Sequence, residues 1–106
     1  MSDLQAIIKE QVTTHPVVLY MKGSPQFPRC GFSGRAVQIL KACGVNKFFS
    51  VDVLQNPEYT PALVEYASWP TLPQFYIKGE FIGGCDIMTE MHQAGELQPM
   101  LDPFKN

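Results

Sequence analysis

Cysteine is scarce in this chain, and none of it is paired. Cys30, Cys43 and Cys85 are the only three among 106 residues. An odd count with no paired spacing argues against a disulfide framework and for a reducing compartment, so the cytoplasm is the expected location. Charge is thin as well: charged residues make up 17% of the chain, the formal net charge is −2, and no run of one sign occurs. Nothing in that pattern suggests a nucleic-acid or polyanion surface. No apolar stretch approaches the roughly 20 residues needed to cross a bilayer. The first residues carry Asp3 and Glu10 and no apolar core, so they do not read as a secretory or transit segment. Repeats, linkers and low-complexity segments are missing too. What is present is a 45% apolar sequence, enough for one compact domain over residues 1–106 with a real core.

Apolar spacing divides the chain into elements. Leu4, Ile7, Ile8 and Val12 form one stripe, predicting a helix from about Asp3 to Thr14 that His15-Pro16 ends. His15 has no companion at ligand spacing and reads as a surface residue. Val17 to Met21 is short enough for a buried strand. Ala36, Val37, Leu40 and Cys43 recur at helical spacing up to Gly44, which puts Cys43 in the core. Phe48 to Val53 alternates as a strand, and Asn56-Pro57 opens a third helix with Leu63, Val64, Tyr66 and Ala67. Gln74–Ile77 and Glu80–Ile82 flank Lys78-Gly79 as a hairpin. Asp86 is the expected cap of a helix through Met91 that Gly95 interrupts, and a last short helix near Leu97–Leu101 stops at Pro103. The order α-β-α-β-α-β-β-α-α predicts an α/β thioredoxin fold, a four-stranded mixed sheet with helices on both faces.

Chemistry concentrates at Cys30-Gly31-Phe32-Ser33, where a Pro/Gly loop after Lys22 turns into a helix. Unpaired N–H groups and the positive end of the helix dipole favour thiolate over thiol there, and Lys22 and Arg29 add positive charge. Position 33 is serine, so no second thiol can resolve a mixed disulfide locally. Its hydroxyl can serve a thiolate or a backbone donor instead. Cys30 can therefore form a mixed disulfide or ligate metal, but cannot complete a local dithiol cycle.

Four motifs, in order, give the sequence a family likeness: Met21-Lys22-Gly23 with Pro25 and Pro28, Cys30 to Ser33, Trp69-Pro70-Thr71-Leu72-Pro73-Gln74, and Gly83-Gly84-Cys85-Asp86-Ile87. Together they resemble the monothiol glutaredoxins of the Cys-Gly-Phe-Ser class, in the short single-domain form, from about Leu4 to about Leu101. The resemblance implies that Pro73 is cis and faces Cys30, and that Leu72 presents its backbone to the cysteinyl part of glutathione. Gly84, Cys85 and Asp86 would take the γ-glutamyl end, at the free N–H groups of a helix start, and Lys22 the glycine carboxylate. Phe32 belongs to the same implied glutathione set. Trp69 reads as packing. One position departs from the class: where an arginine usually stands nine residues before the tryptophan, this chain has Thr60, a hydroxyl in place of a bidentate cation.

The same resemblance implies the function. A [2Fe–2S] cluster takes four thiolates, and the class supplies them as two Cys30 side chains and two glutathiones in a homodimer that carries clusters to apo iron–sulfur proteins and serves iron homeostasis. BolA-type proteins are the implied hetero-partners. A glutathione-dependent thiol–disulfide oxidoreductase is the alternative; against it stand the missing resolving cysteine and a longer Lys-to-Cys loop than dithiol glutaredoxins have. Cys85 is a candidate slow partner for Cys30 under oxidation.

Overall fold

The computed structural model describes residues 3–106. Its elements are α1 (Asp3–Thr14), β1 (Val17–Met21), α2 (Gly31–Ala42), β2 (Phe49–Asp52), α3 (Tyr59–Ala67), β3 (Gln74–Ile77), β4 (Glu80–Gly83), α4 (Cys85–Gln93) and α5 (Leu97–Leu101), followed by a 3₁₀ turn over Asp102–Phe104. The four strands lie in the order β2-β1-β3-β4. β1 runs parallel to β2, with Met21 opposite Asp52, and antiparallel to β3, which pairs antiparallel with β4. The α2 crossover joins the parallel pair. Lys78 and Gly79 make the hairpin at φ +50° and +83°, the sign that a two-residue turn between twisted strands requires at both positions.

Strand alternation explains the two cores. Val17, Leu19 and Met21 of β1, with Phe75 and Ile77 of β3, point to the face covered by α2, α4 and α5. Val18, Tyr20 and Tyr76 point to the other, where Ile8 and Val12 of α1 meet Leu63 of α3. The period of two in β1 thus feeds both layers, which is why every residue of that strand is buried. Polar side chains inside the second layer are satisfied: Tyr20 donates to Gln11 at 2.7 Å and Tyr76 to Gln74 at 3.0 Å. Burial pushes both phenol pKa values up, and the neighbouring tyrosines add to it.

Several boundaries differ from expectation for local reasons. α3 starts at Tyr59, because Asn56 and Pro57 close i→i+3 turns onto Tyr59 and Thr60 before the helix begins. Pro61 is accommodated within its first turn, where no intrahelical N–H is needed. Asp86 is not the cap of α4. The capping position is Gly84, and Asp86 is the second helical residue, with its carboxylate in the first turn. β4 runs on to Gly83 and leaves Gly84 alone before the helix, which starts at Cys85, two residues earlier than a capping aspartate would allow. Pro103 sits inside the 3₁₀ turn rather than after the last helix. His15 is half-buried and stacks on Phe49 with ring centroids 4.2 Å apart. Among the described residues, no helix is long and apolar enough to cross a membrane.

Candidate functional site

β1 ends at Met21, and its exit carries Lys22 to the edge of a cleft. α2 begins beside it. Cys30 holds the N-cap position with extended backbone (φ −148°, ψ 137°), and its carbonyl accepts the Gly34 N–H at 2.9 Å. The side chain makes no cap bond, which leaves the sulfur over the free N–H groups of the first turn. The thiol pKa is lowered, chiefly by the backbone N–H of Ser33. Partial burial opposes this, and the Phe32 N–H, the Lys22 charge and the Ser33 hydroxyl assist. Helix-start donors stabilise the charged form of the sulfur more than the neutral one.

Ser33 is fully buried, and its Oγ accepts the Lys22 N–H at 3.0 Å. Where a dithiol site would carry a second sulfur, this chain has a hydroxyl that ties α2 to the end of β1. Arg29 does not line this cleft but a separate groove that it shares with Cys30, and it is Lys22 whose charge acts on the thiolate.

The opposite wall comes from the turn before β3. The Leu72–Pro73 peptide is cis, and Pro73 is buried while Leu72 is half-exposed. Gln74 is fully buried, and its Nε2 donates to the carbonyls of Leu63 and Trp69, each at 3.3 Å. That pair of bonds fixes the Trp69–Pro73 turn against α3. The third wall is the β4–α4 junction. A Cβ on Gly84 would stand 3.2 Å from the Pro73 carbonyl oxygen and 3.4 Å from Trp69 Nε1, so glycine permits the close approach of the two walls.

The cleft so formed has a volume of about 510 Å³. Lys22, Cys30, Phe32, Leu72, Pro73, Gly84, Cys85 and Asp86 all line it, with Thr60, Trp69, Pro70, Thr71 and Ile87. Lys22 is the only cation among these lining residues, and Asp86, which is exposed, the only carboxylate. Phe32 is 61% exposed, an apolar ring held out beside the thiol. Cys85 is buried on the wall, and Cys43 is buried in the α2/α4 layer with its sulfur 3.7 Å from His92 Nδ1.

A cis proline facing a helix-start thiol, on a sheet of this order, is a thioredoxin-fold active end, and a family model for glutaredoxin matches residues 17–82. The chain belongs to the glutaredoxin family. Over 94 residues this glutaredoxin is 54% identical to glutaredoxin 4 of Escherichia coli (strain K12), covering 89% of its own length and 81% of that protein's. Among solved structures it is similar to reduced apo GrxS14 from poplar in solution, with a TM-score of 0.80 and 50% identity over 94% of this chain and 91% of that one. It is also similar to buckwheat glutaredoxin in its glutathione complex, with a TM-score of 0.82 and 26% identity over 94% and 88% of the two chains.

Two supports of the cleft carry no assignment from the sequence of this glutaredoxin. Ser33 is not one of them: its hydroxyl, expected to serve the thiolate or a backbone donor, meets the Lys22 N–H. Gln74 stands in its motif without an assigned role, although a glutamine following proline at the start of an apolar strand is a usable signal for a buried polar tie. Asp52 has no local signal at all, since the groups it binds lie 29 residues earlier and two later. Trp69 does both things: it packs on Phe81 with centroids 5.7 Å apart, and it lines the cleft.

Proposed function

We propose that this glutaredoxin binds glutathione in the cleft and, as a homodimer, carries a [2Fe–2S] cluster that it passes to apo iron–sulfur proteins. Lys22 meets the glycine carboxylate of glutathione. Leu72 and Pro73 offer backbone to its cysteinyl part, Gly84, Cys85 and Asp86 receive the γ-glutamyl end, and Phe32 closes over the sulfur. Cys30 ligates the cluster. The observation that carries this reading is the thiol inventory of the cleft: one solvent-reaching sulfur with a lowered pKa, and a buried serine at position 33.

The donor set fits a shared cluster and not a resident one. Among the described residues, no group of three or more His, Cys, Asp or Glu side chains is positioned to hold a metal ion. One chain brings one accessible thiolate, so four-thiolate ligation needs two chains and two glutathione sulfurs. Half of that ligand set is non-covalently held, which suits transfer. The cluster is cargo in this reading, its recipients and a BolA-type partner follow from the family likeness, and the cytoplasm is the compartment.

The lowered thiol pKa also supports a second reading, glutathione-dependent thiol–disulfide exchange at Cys30. A thiolate attacks a mixed disulfide directly, but without a thiol at position 33 each turnover must be closed by free glutathione. Anaerobic reconstitution with iron, sulfide and glutathione separates the two. We expect a coloured dimer by absorption and sizing, formed only when glutathione is present. A full-strength cluster in a glutathione-free monomer would overturn the carrier reading.

A further inference from the structure

Beyond the cleft itself, the end of β2 carries a carboxylate that the cleft does not contain. Oδ1 of Asp52 accepts two backbone N–H groups, from Gly23 at 3.0 Å and from Leu54 at 2.9 Å. Met21 and Asp52 are register partners in the parallel pair, and the ladder is continued once, by the Val53 N–H on the Met21 carbonyl at 2.9 Å. After that the two strands part. A carboxylate oxygen accepts two donors at once, so one side chain stands in for the β2 carbonyl that the N–H following β1 would otherwise meet, and closes the turn after β2.

The consequence falls on Lys22. Its N–H is held by Ser33 Oγ at 3.0 Å, and its carbonyl by the Arg29 N–H at 2.9 Å. The next N–H along the chain, that of Gly23, is the one Asp52 takes. Gly23 is buried at φ +95°, and a Cβ there would stand 2.5 Å from the Arg29 nitrogen and 2.6 Å from the Phe27 oxygen. The loop from Gly23 to Pro28 therefore folds directly back over this residue, closed by the Gly23–Pro28 bridge and by Ser24 and Phe27 exchanging backbone bonds at 3.2 and 3.1 Å. Without Asp52 the Gly23 donor has no ladder to rejoin, and the peptide that aims Lys22 keeps only its carbonyl bond from the Arg29 N–H. With Thr60 neutral, no second cation lines the cleft to compensate.

We infer that Asp52 is a positioning residue for anion recognition in the cleft: through the Gly23 N–H it fixes the direction in which Lys22 meets the glycine carboxylate of glutathione. The inference rests on the glutathione reading of the cleft and assigns a residue outside it.

The test is titration of the apo protein with reduced glutathione, followed by calorimetry, together with ultraviolet titration of the Cys30 thiolate. Asp52→Ala is expected to raise the dissociation constant about tenfold, the effect of leaving a buried donor unmatched. Asp52→Asn keeps an oxygen acceptor and is expected to stay within about threefold of the native protein. In a Lys22→Gln background, Asp52→Ala is expected to add nothing, because it acts through the lysine. The thiolate supplies an opposing sign. Removing the negative charge alone would lower the Cys30 pKa, whereas losing Lys22 from its place raises it, so Asp52→Ala raises it and Asp52→Asn does not. Full additivity in the double variant, failure of asparagine to rescue, or native affinity in Asp52→Ala would each overturn the inference. If Asp52→Ala does not fold, Asp52→Ser, too short to reach both donors, replaces it. If the native protein does not bind glutathione, the reading of the cleft falls, and the thiolate titration still decides whether Asp52 places Lys22.

Discussion

At the scale of single residues, the two thiols that cap α2, Cys30 at its start and Cys43 at its end, have opposite electrostatics. Helix-start donors lower the Cys30 pKa, while burial raises that of Cys43, with Asp102 adding to the rise and Lys105 opposing it. Linkage fixes the signs. A thiol with a depressed folded pKa contributes stability that is present above the unfolded value, roughly 8.5, and is lost as pH falls through the folded value. A thiol with a raised folded pKa contributes stability that is present below roughly 8.5 and is lost as pH rises toward the folded value. The urea stability of the native protein relative to Cys30→Ser should therefore grow with pH up to about 8.5 and then level; relative to Cys43→Ser it should shrink over the range above. A common slope for both pairs would show that the two environments are not distinct. Cys30→Ser should also abolish cluster assembly with the fold intact, and Cys43→Ser should cost about 1–3 kcal/mol for a buried hydroxyl while sparing the cluster. Cys85 sits on the same cleft as Cys30. Oxidised glutathione is expected to glutathionylate Cys30, releasing one glutathione thiolate; attack by the Cys85 thiolate on the Cys30 sulfur then expels the second. Because Cys85 is only 6% exposed, the disulfide should form slowly. Peptide mapping that finds Cys85 free at all times would remove the step.

Between elements, the decisive contact is the close approach of the β4–α4 junction to the turn before β3. Gly84→Ala adds a methyl 3.2 Å from the Pro73 carbonyl oxygen, a distance at which the neighbouring backbone must give by a few tenths of an ångström. We expect a stability loss of about 1 kcal/mol and a several-fold weaker affinity for glutathione, because the wall that moves is the one carrying Leu72. Unchanged affinity by calorimetry would mean that the junction is not part of the binding wall. This junction also marks how far the sequence could be read. α1, β1 and β3 were legible to the residue, since each has unbroken apolar periodicity and a Pro or Gly boundary. The start of α4 was not: an aspartate soon after two glycines looks like a cap, but Gly84 alone separates β4 from the helix, so Gly84 is the cap and Asp86 falls in the first turn. Cleft residues in motifs were legible because each motif sits at an element end that the topology gathers on one edge of the sheet. The ties of Ser33 to Lys22 and of Asp52 to Gly23 were not, since a hydrogen bond between two turns leaves no periodic trace in either.

For the molecule as a whole, the question is what would hold two copies together. The large apolar side chains exposed among the described residues are Ile7, Phe27, Phe32 and Leu54. Phe27 and Leu54 share a groove beside the Lys22–Cys30 loop, and Phe32 lies at the cleft, whereas Ile7 is on α1. Scattered in this way, they do not make the continuous apolar face of an obligate dimer, which buries roughly 2,000 Å² or more. The net charge of −2 is too small to keep two copies apart. On the proposed reading a shared cluster then decides the association: it joins one Cys30 of each chain and two bound glutathiones, and little remains when it is gone. Chelation of the reconstituted protein should convert the dimer to monomer in step with loss of the visible absorption. If two of the four sulfurs come from free glutathione as proposed, rapid desalting should shorten the lifetime of the cluster, and returning glutathione should restore it. Sizing and absorption recorded on one sample check both. A dimer that survives complete loss of colour would place its stability in the protein surface, and a cluster indifferent to desalting would mean that all four ligands are covalently part of the two chains.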